Sequence, residues 1–203
     1  MNLLRQAEYR VQPWQNGGGT TRLVAASPLD AGYSAALDWQ ISLPSIAKDG
    51  PFSVLPGLAR QWLMLEGEGL ELDCRMSAAS APLSIKVEHA LEPIAFSGAW
   101  TTAARLRRGP VTGFSVLSRH AKFAAILRIH ELRGTTAIEK PAGETLLLFL
   151  ATGSVRALGG GASAALEHFD SILMQAPGFE ACSFSVANWA QTATIIEVRL
   201  AAV

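Results

Sequence analysis

The sequence predicts an all-β protein of many short antiparallel strands, folded as sandwiches or barrels. Three observations carry this. Residues 37–43 and 83–88 alternate apolar and polar side chains, the period of a half-buried strand. Glycine and proline turns recur at short intervals, as at Glu66-Gly67-Glu68-Gly69, Pro141-Ala142-Gly143-Glu144 and Thr152-Gly153. No segment of helical length combines a 3.6-residue period with capping residues.

Taken in order, residues 37–43 (Leu-Asp-Trp-Gln-Ile-Ser-Leu) read as a strand that Pro44 limits, since proline brings no N–H to a ladder. Residues 61–65, the turn 66–69 and residues 70–74 read as strand, turn, strand. Residues 83–88, 113–117 and 124–129 are further strands. In the second half, 145–151 is an apolar strand, 152–153 a turn and 154–158 the returning strand. Gly159-Gly160-Gly161 is a loop, residues 169–174 precede Pro177-Gly178, and 193–200 is a closing strand. A faint repeat links the halves. Leu65-x-Gly67 followed by Leu70-x-Leu72 parallels Leu150-x-x-Gly153 followed by Val155-x-x-Leu158. The segment Arg105-Leu106-Arg107-Arg108-Gly109-Pro110 between them reads as a solvated linker.

Bulk composition excludes several classes. The chain has 203 residues, 49% hydrophobic and 17% charged, which supports real cores and argues against disorder. Lys+Arg and Asp+Glu balance at 17 each, so no basic excess exists to neutralise phosphates, and nucleic acid is not an expected partner. A near-neutral, apolar chain favours association, so a homodimer is expected. The first eleven residues carry Arg5, Glu8 and Arg10 and no apolar core of a leader. The longest strongly apolar run, 146–151, is far too short for a membrane-spanning helix. A cytoplasmic protein is the resulting expectation. Cys74 and Cys182 form neither a disulfide framework nor a zinc pattern.

The densest motif is Trp14-Gln15-Asn16-Gly17-Gly18-Gly19-Thr20-Thr21-Arg22. Three consecutive glycines are entropically costly unless the backbone must bend sharply or approach something closely. An amide, two hydroxyls and a guanidinium surround them, a set of donors suited to a small anion. A tight turn between two strands accounts for the same residues without a ligand.

The pattern Trp14-x-Asn16-Gly17-Gly18-Gly19-x-Thr21-Arg22 resembles the signature of the HutD/Ves family. Further blocks agree: Asp49-Gly50-Pro51-Phe52-Ser53, Pro56-Gly57-x-x-Arg60, Leu65-x-Gly67-x-Gly69-Leu70-x-Leu72 and, more weakly, Phe96-x-Gly98. The resemblance spans residues 11–118 in order and spacing. It implies two fused cupin-type β-barrels (a bicupin), divided as residues 1–108 and 109–203, and a role linked to histidine utilisation. It also turns Arg22 and Arg60 toward ligand binding. Trp14 and Phe52 become apolar walls, and Asn16, Gly17, Gly18, Gly19, Thr20, Thr21 and Ser53 orienting groups. Arg60 taken alone reads equally well as an exposed edge charge. The chain departs from the family pattern at Gln40, which the resemblance still places among the ligand-binding residues although an arginine is usual there, and at Gly113-Phe114-Ser115, where Asp-Phe-Asn is usual.

Catalytic signatures are absent. The histidines 89, 120, 130 and 168 form no HxH pair, so no metal or other cofactor is expected. His130 is adjacent only to Glu131, and strand neighbours point to opposite faces. No P-loop or GxSxG elbow occurs. No helix follows the glycines as a dinucleotide site requires. Glu66 and Glu68 are explained by solvation in a hairpin turn. The expected function is therefore a metal-free, small-carboxylate-binding protein, sensing or regulating histidine catabolism through a formylglutamate-like ligand. A metal-independent enzyme acting on a similar acid, or an interaction module with a vestigial pocket, are the alternatives.

Overall fold

A computed structural model describes residues 1–33, 36–187 and 191–203. The described chain is all-β apart from a 3-10 turn at Gln6–Glu8, and every strand pairing given by register is antiparallel. It forms two compact units, Arg10–Phe123 and Met1–Tyr9 with Ala124–Val203.

After β1 (Asn2–Leu4), which belongs to the second of these units, the chain builds the first from ten strands. They are β2 (Arg10–Pro13), β3 (Gly19–Ser27), β4 (Trp39–Ile46), β5 (Gly50–Pro51), β6 (Leu58–Glu66), β7 (Leu70–Arg75), β8 (Leu83–Val87), β9 (Ile94–Ser97), β10 (Thr101–Leu106) and β11 (Val111–Arg119). A six-stranded sheet has the order β2-β3-β4-β11-β6-β9, and a four-stranded sheet the order β5-β10-β7-β8. One core cluster is drawn from both sheets, and Leu37, Leu55, Leu58 and Leu117 form another. Trp62 and Met64 of β6 meet Leu70, Leu72 and Cys74 of β7, Val87, Ala104 and Val111. On β7 the pattern is strict: Leu70, Leu72 and Cys74 are buried, and the intervening Glu71 and Asp73 are half-buried. Each fully buried leucine of this kind contributes about 1.5–3 kcal/mol.

The second unit repeats the plan. Its strands are β12 (Phe123–Leu132), β13 (Thr135–Lys140), β14 (Thr145–Thr152), β15 (Val155–Gly159), β16 (Ala162–Leu166), β17 (Ser171–Met174), β18 (Glu180–Ser185) and β19 (Ala193–Ala202). They make a five-stranded sheet, β1-β17-β14-β19-β12, and a four-stranded sheet, β13-β18-β15-β16, around a core of Leu146, Leu148, Leu150, Ala157, Phe184 and Ile195. The faint sequence repeat is the same step in each unit. β6 and β14 lie in the larger sheets, β7 and β15 in the smaller ones, and glycine turns join them. Gly67, Gly69 and Gly153 in those turns have φ of +125°, +96° and +81°, values that glycine alone adopts without strain.

The chain passes between the compact units at 9/10 and at 123/124, and β11 is an interior strand of the first unit's larger sheet. Two expectations change. The 105–110 segment is not a free linker. Arg105 ends in β10 and pairs with Asp73 at 2.8 Å, while Arg107 meets Glu88 at 2.6 Å. Pro44 does not end its strand, and β4 runs on to Ile46. β4 pairs β11 at Ser42↔Ser115 and Ser45↔Thr112 with no registered pair between, so the ladder opens where proline offers no donor.

Candidate functional site

The first unit contains a cavity of about 510 Å³. This is the size of small-molecule sites generally. Its wall comes from the β2–β3 hairpin (Gln12, Pro13, Trp14, Gln15, Asn16, Thr21), from Tyr33, from β4 (Ser42, Pro44) and from the β5 region (Pro51, Phe52, Ser53). β6 adds Arg60 and Trp62, and β11 adds Ser115 and Leu117. Strand register explains why distant residues converge. Gln40, Leu117, Arg60 and Phe96 stand in one row across β4-β11-β6-β9. Ser42, Ser115, Trp62 and Ile94 stand in the next. Alternation puts both rows on one face.

Six of the residues singled out from sequence therefore line one cavity: Trp14, Asn16, Thr21, Phe52, Ser53 and Arg60. Six do not: Gly17, Gly18, Gly19, Thr20, Arg22 and Gln40. Thr20 and Arg22 flank Thr21 on β3, so the strand turns them to its other face. Gln40 is buried, with its Nε2 3.5 Å from the Ser42 Oγ, one position behind the wall.

The glycine run acts through Trp14. Gly17 N–H donates to the Trp14 carbonyl at 3.0 Å and Gly18 N–H to Asn16 Oδ1 at 2.9 Å, so these amides are already engaged. Gly17 has φ +65°, the left-handed region. Gly19 brings β3 against β4 so closely that a Cβ would collide with the Ser45 carbonyl oxygen. The Trp14 indole is then held by its Nε1–H donating to Thr21 Oγ1 at 2.7 Å.

Arg60 is the charged group of the wall, and it is 7% exposed. Its Nη2 donates to the Ser53 carbonyl at 3.3 Å, and its guanidinium lies 5.2 Å from the Phe52 ring centre and 5.4 Å from that of Phe96. Among the described residues no carboxylate lies within ion-pair distance of it. Burial lowers its pKa to about 10, slightly offset by Tyr33 and Cys74, so it remains a cation at neutral pH. A buried guanidinium with four further N–H donors and aromatic faces around it is suited to a planar anion.

Sequence reasoning passed over Trp62, Ser42 and Pro44. Each lies two or four positions from a residue that was singled out, and extending the strand period from Arg60 and Gln40 finds them. Among the described residues no group of three or more His, Cys, Asp and Glu is placed to hold a metal ion. His130 Nε2 is 2.9 Å from Glu197 Oε2 on the neighbouring β19, while Glu131 pairs with Arg133 at 2.7 Å. No helix of the described residues is long and apolar enough to cross a membrane.

The HutD family model matches residues 6–193. The chain belongs to the HutD family. An uncharacterized 21.2 kDa protein from the hutC 3′ region of Pseudomonas putida is 29% identical over 158 residues, 76% of each chain. Protein Ves of Escherichia fergusonii is 32% identical over 127 residues, 62% of each. Among solved structures, a conserved protein of unknown function from Pseudomonas aeruginosa PAO1 superposes with a TM-score of 0.84 at 26% identity, covering 98% of both chains. HutD from Pseudomonas fluorescens SBW25 gives 0.75 at 24%, over 100% of this chain and 98% of that one. The oxalate decarboxylase of Lactobacillus farciminis gives 0.72 at 8%, over 100% and 87%, a likeness of fold alone.

Proposed function

We propose that this HutD-family protein binds a small carboxylate without a metal, seated on Arg60 in the cavity of the 10–123 unit, and that each unit is a cupin-type barrel. One observation carries the reading: Arg60 is buried on the cavity wall, and no carboxylate of the described residues neutralises it. An uncompensated buried charge is strongly destabilising. A ligand carboxylate supplies the missing charge reversibly and meets the planar fork in bidentate fashion. Among the described residues the wall carries no His, Asp, Glu, Lys or Cys, and Tyr33 is its one neutral acid–base group, a lining that favours binding.

The family and the hutC-region relative direct the choice of acid toward histidine catabolism. We take the ligand to be a formylglutamate-like acid, and the role to be sensing or regulation of that pathway. Calorimetry with N-formylglutamate tests this. The wild type should bind, and Arg60→Ala should fold yet bind about 2–5 kcal/mol more weakly. Equal affinities would remove Arg60 from the site. A rise in melting temperature with N-formylglutamate is the parallel readout, since a ligand of the native state stabilises it.

A further inference from the structure

We infer that Ser115 and Ser42 form a second contact point in the cavity, where their hydroxyls hold an uncharged carbonyl oxygen of the same ligand whose carboxylate sits on Arg60. This rests on the carboxylate reading above.

Ser115 belongs to β11, which lies between β4 and β6 in the interior of the larger sheet. It is 7% exposed and lines the cavity. Its neighbours Phe114 and Val116 are buried and do not line it, so the Ser115 side chain is what faces the space. Its Oγ keeps accessible surface and has no hydrogen-bond partner among the described residues. On an interior strand that surface opens into the cavity. Buried polar groups are mostly paired, so this hydroxyl is satisfied by what enters there. Water can serve in the free protein, and a ligand oxygen within reach replaces it.

Ser42 completes the point. It is 3% exposed, lines the same cavity and stands directly opposite Ser115 in the β4–β11 register. Side chains so paired have Cβ atoms about 4.5–5.5 Å apart, close enough for two hydroxyls to share one oxygen. Gln40 Nε2 donates to Ser42 Oγ at 3.5 Å, which leaves the serine its own O–H to donate. Leu117 is the β11 partner of Arg60, so Ser115 is the diagonal neighbour of the arginine, roughly 7–8 Å away between Cα atoms. One small acid can therefore touch both points.

The serine point favours an uncharged oxygen. Arg60 is the one cation among the described lining residues, and the serines are flanked by Trp62 and Leu117. A carboxylate placed on them would give up its hydration for neutral donors beside apolar walls. A carbonyl oxygen loses far less. In N-formylglutamate the formyl oxygen takes this place. The second carboxylate is left to the rim, where Gln12, Gln15 and Asn16 line the cavity and are exposed to water.

The test compares N-formylglutamate with glutarate, which has both carboxylates and no formamide. Calorimetry on the wild type and on the Ser42→Ala/Ser115→Ala double variant gives the ratio of the two affinities in each. The wild type should prefer N-formylglutamate, and the ratio should fall about tenfold in the double variant, the scale of one or two hydrogen bonds. Glutarate, with no oxygen at the serines, should lose little. Arg60→Ala should weaken both acids. Ser115→Ala alone should lose part of the ratio and serves if the double variant fails to fold. A ratio unchanged in the folded variants, or no preference in the wild type, overturns the serine point and leaves Arg60 as a carboxylate site. Equal losses for both acids in the serine variants overturn it as well. No binding of either acid to the wild type overturns both readings.

Discussion

Gly19 and Ser45 are pressed together across β3 and β4, with the glycine Cα facing the serine carbonyl so closely that no Cβ fits between them. The obstacle is backbone on a paired strand, which cannot rotate away. Gly19→Ala should therefore destabilise by about 1–3 kcal/mol, the usual cost of overpacking. At roughly 2–4 °C per kcal/mol for a chain of this size, the melting temperature should drop measurably. It should also loosen Trp14, whose Cε3 a Cβ at 19 would approach to 3.3 Å, and quench or shift tryptophan fluorescence. An unchanged melting curve would show that β3 and β4 are less closely joined.

Asp170 ties residues 1–9 into their unit. It is 5% exposed and accepts from Arg5 Nη1 at 2.6 Å, Gln6 N–H at 3.0 Å and Glu167 N–H at 3.1 Å. Tyr9 adds a hydroxyl bond to the Phe169 carbonyl at 2.7 Å. Asp170→Ala strands these donors and should cost about 1.5–3 kcal/mol, as for hydrogen bonds to charged groups. Urea unfolding measures the loss. A fragment starting at residue 124 lacks β1 and these partners, and limited proteolysis should find it far more labile than the full chain.

Lys140 is 0% exposed and donates to the carbonyls of Pro141, Ala176 and Gly178 at 3.1, 2.8 and 2.7 Å. Glu180 Oε2 stands 3.7 Å away. The ammonium gathers two loops and balances a carboxylate. Lys140→Met keeps the volume and removes the charge, leaving three carbonyls without their donor and half-buried Glu180 with the N-terminal ammonium, 3.6 Å away, as its remaining counter-charge. Its cost should be about 1–3 kcal/mol, the penalty for buried polar groups left without a partner. A midpoint within error of the wild type would mean that the carbonyls find water at little cost.

The pH dependence of acid binding follows from Arg60. Its pKa is lowered by burial but only to about 10, so the cation persists throughout neutral and mildly alkaline solution. Carboxylate affinity should be flat from pH 6 to 9 by titration calorimetry and fall as pH rises through about 10, where the free protein loses the positive charge. A fall centred near pH 6.5 would instead implicate a histidine, and none of the described residues lining the cavity is one.

Local pattern was enough for the β class. The strands at 70–74 and 83–88 and the glycine turns at 66–69 and 152–153 lie where the sequence places them, whereas the alternating stretch 37–43 enters its strand at Trp39 and is buried on both faces. Strands lacking a clean pattern escaped notice. β2 is exposed along its length, and β10 carries Thr101, Thr102 and Arg105, so neither shows an apolar stripe. The cavity was half legible. Motif residues Trp14, Thr21, Phe52 and Arg60 meet in it, but contiguous motif residues cannot all face one side of a strand.

What the sequence by itself determined is thus the strand-and-turn grammar, the absence of paired histidines, and a compact set of signature residues. Those properties depend on neighbours within a few positions. Only the tertiary structure decided that Thr21 faces the cavity while Thr20 and Arg22 turn away. It also put β11 between β4 and β6, so that Ser42, Ser115 and Trp62 form one row, and set the indole of Trp62 over Gly113. The reason is physical: alternation specifies which residues share a face, but strand order and register join residues more than fifty positions apart, and no local signal records them.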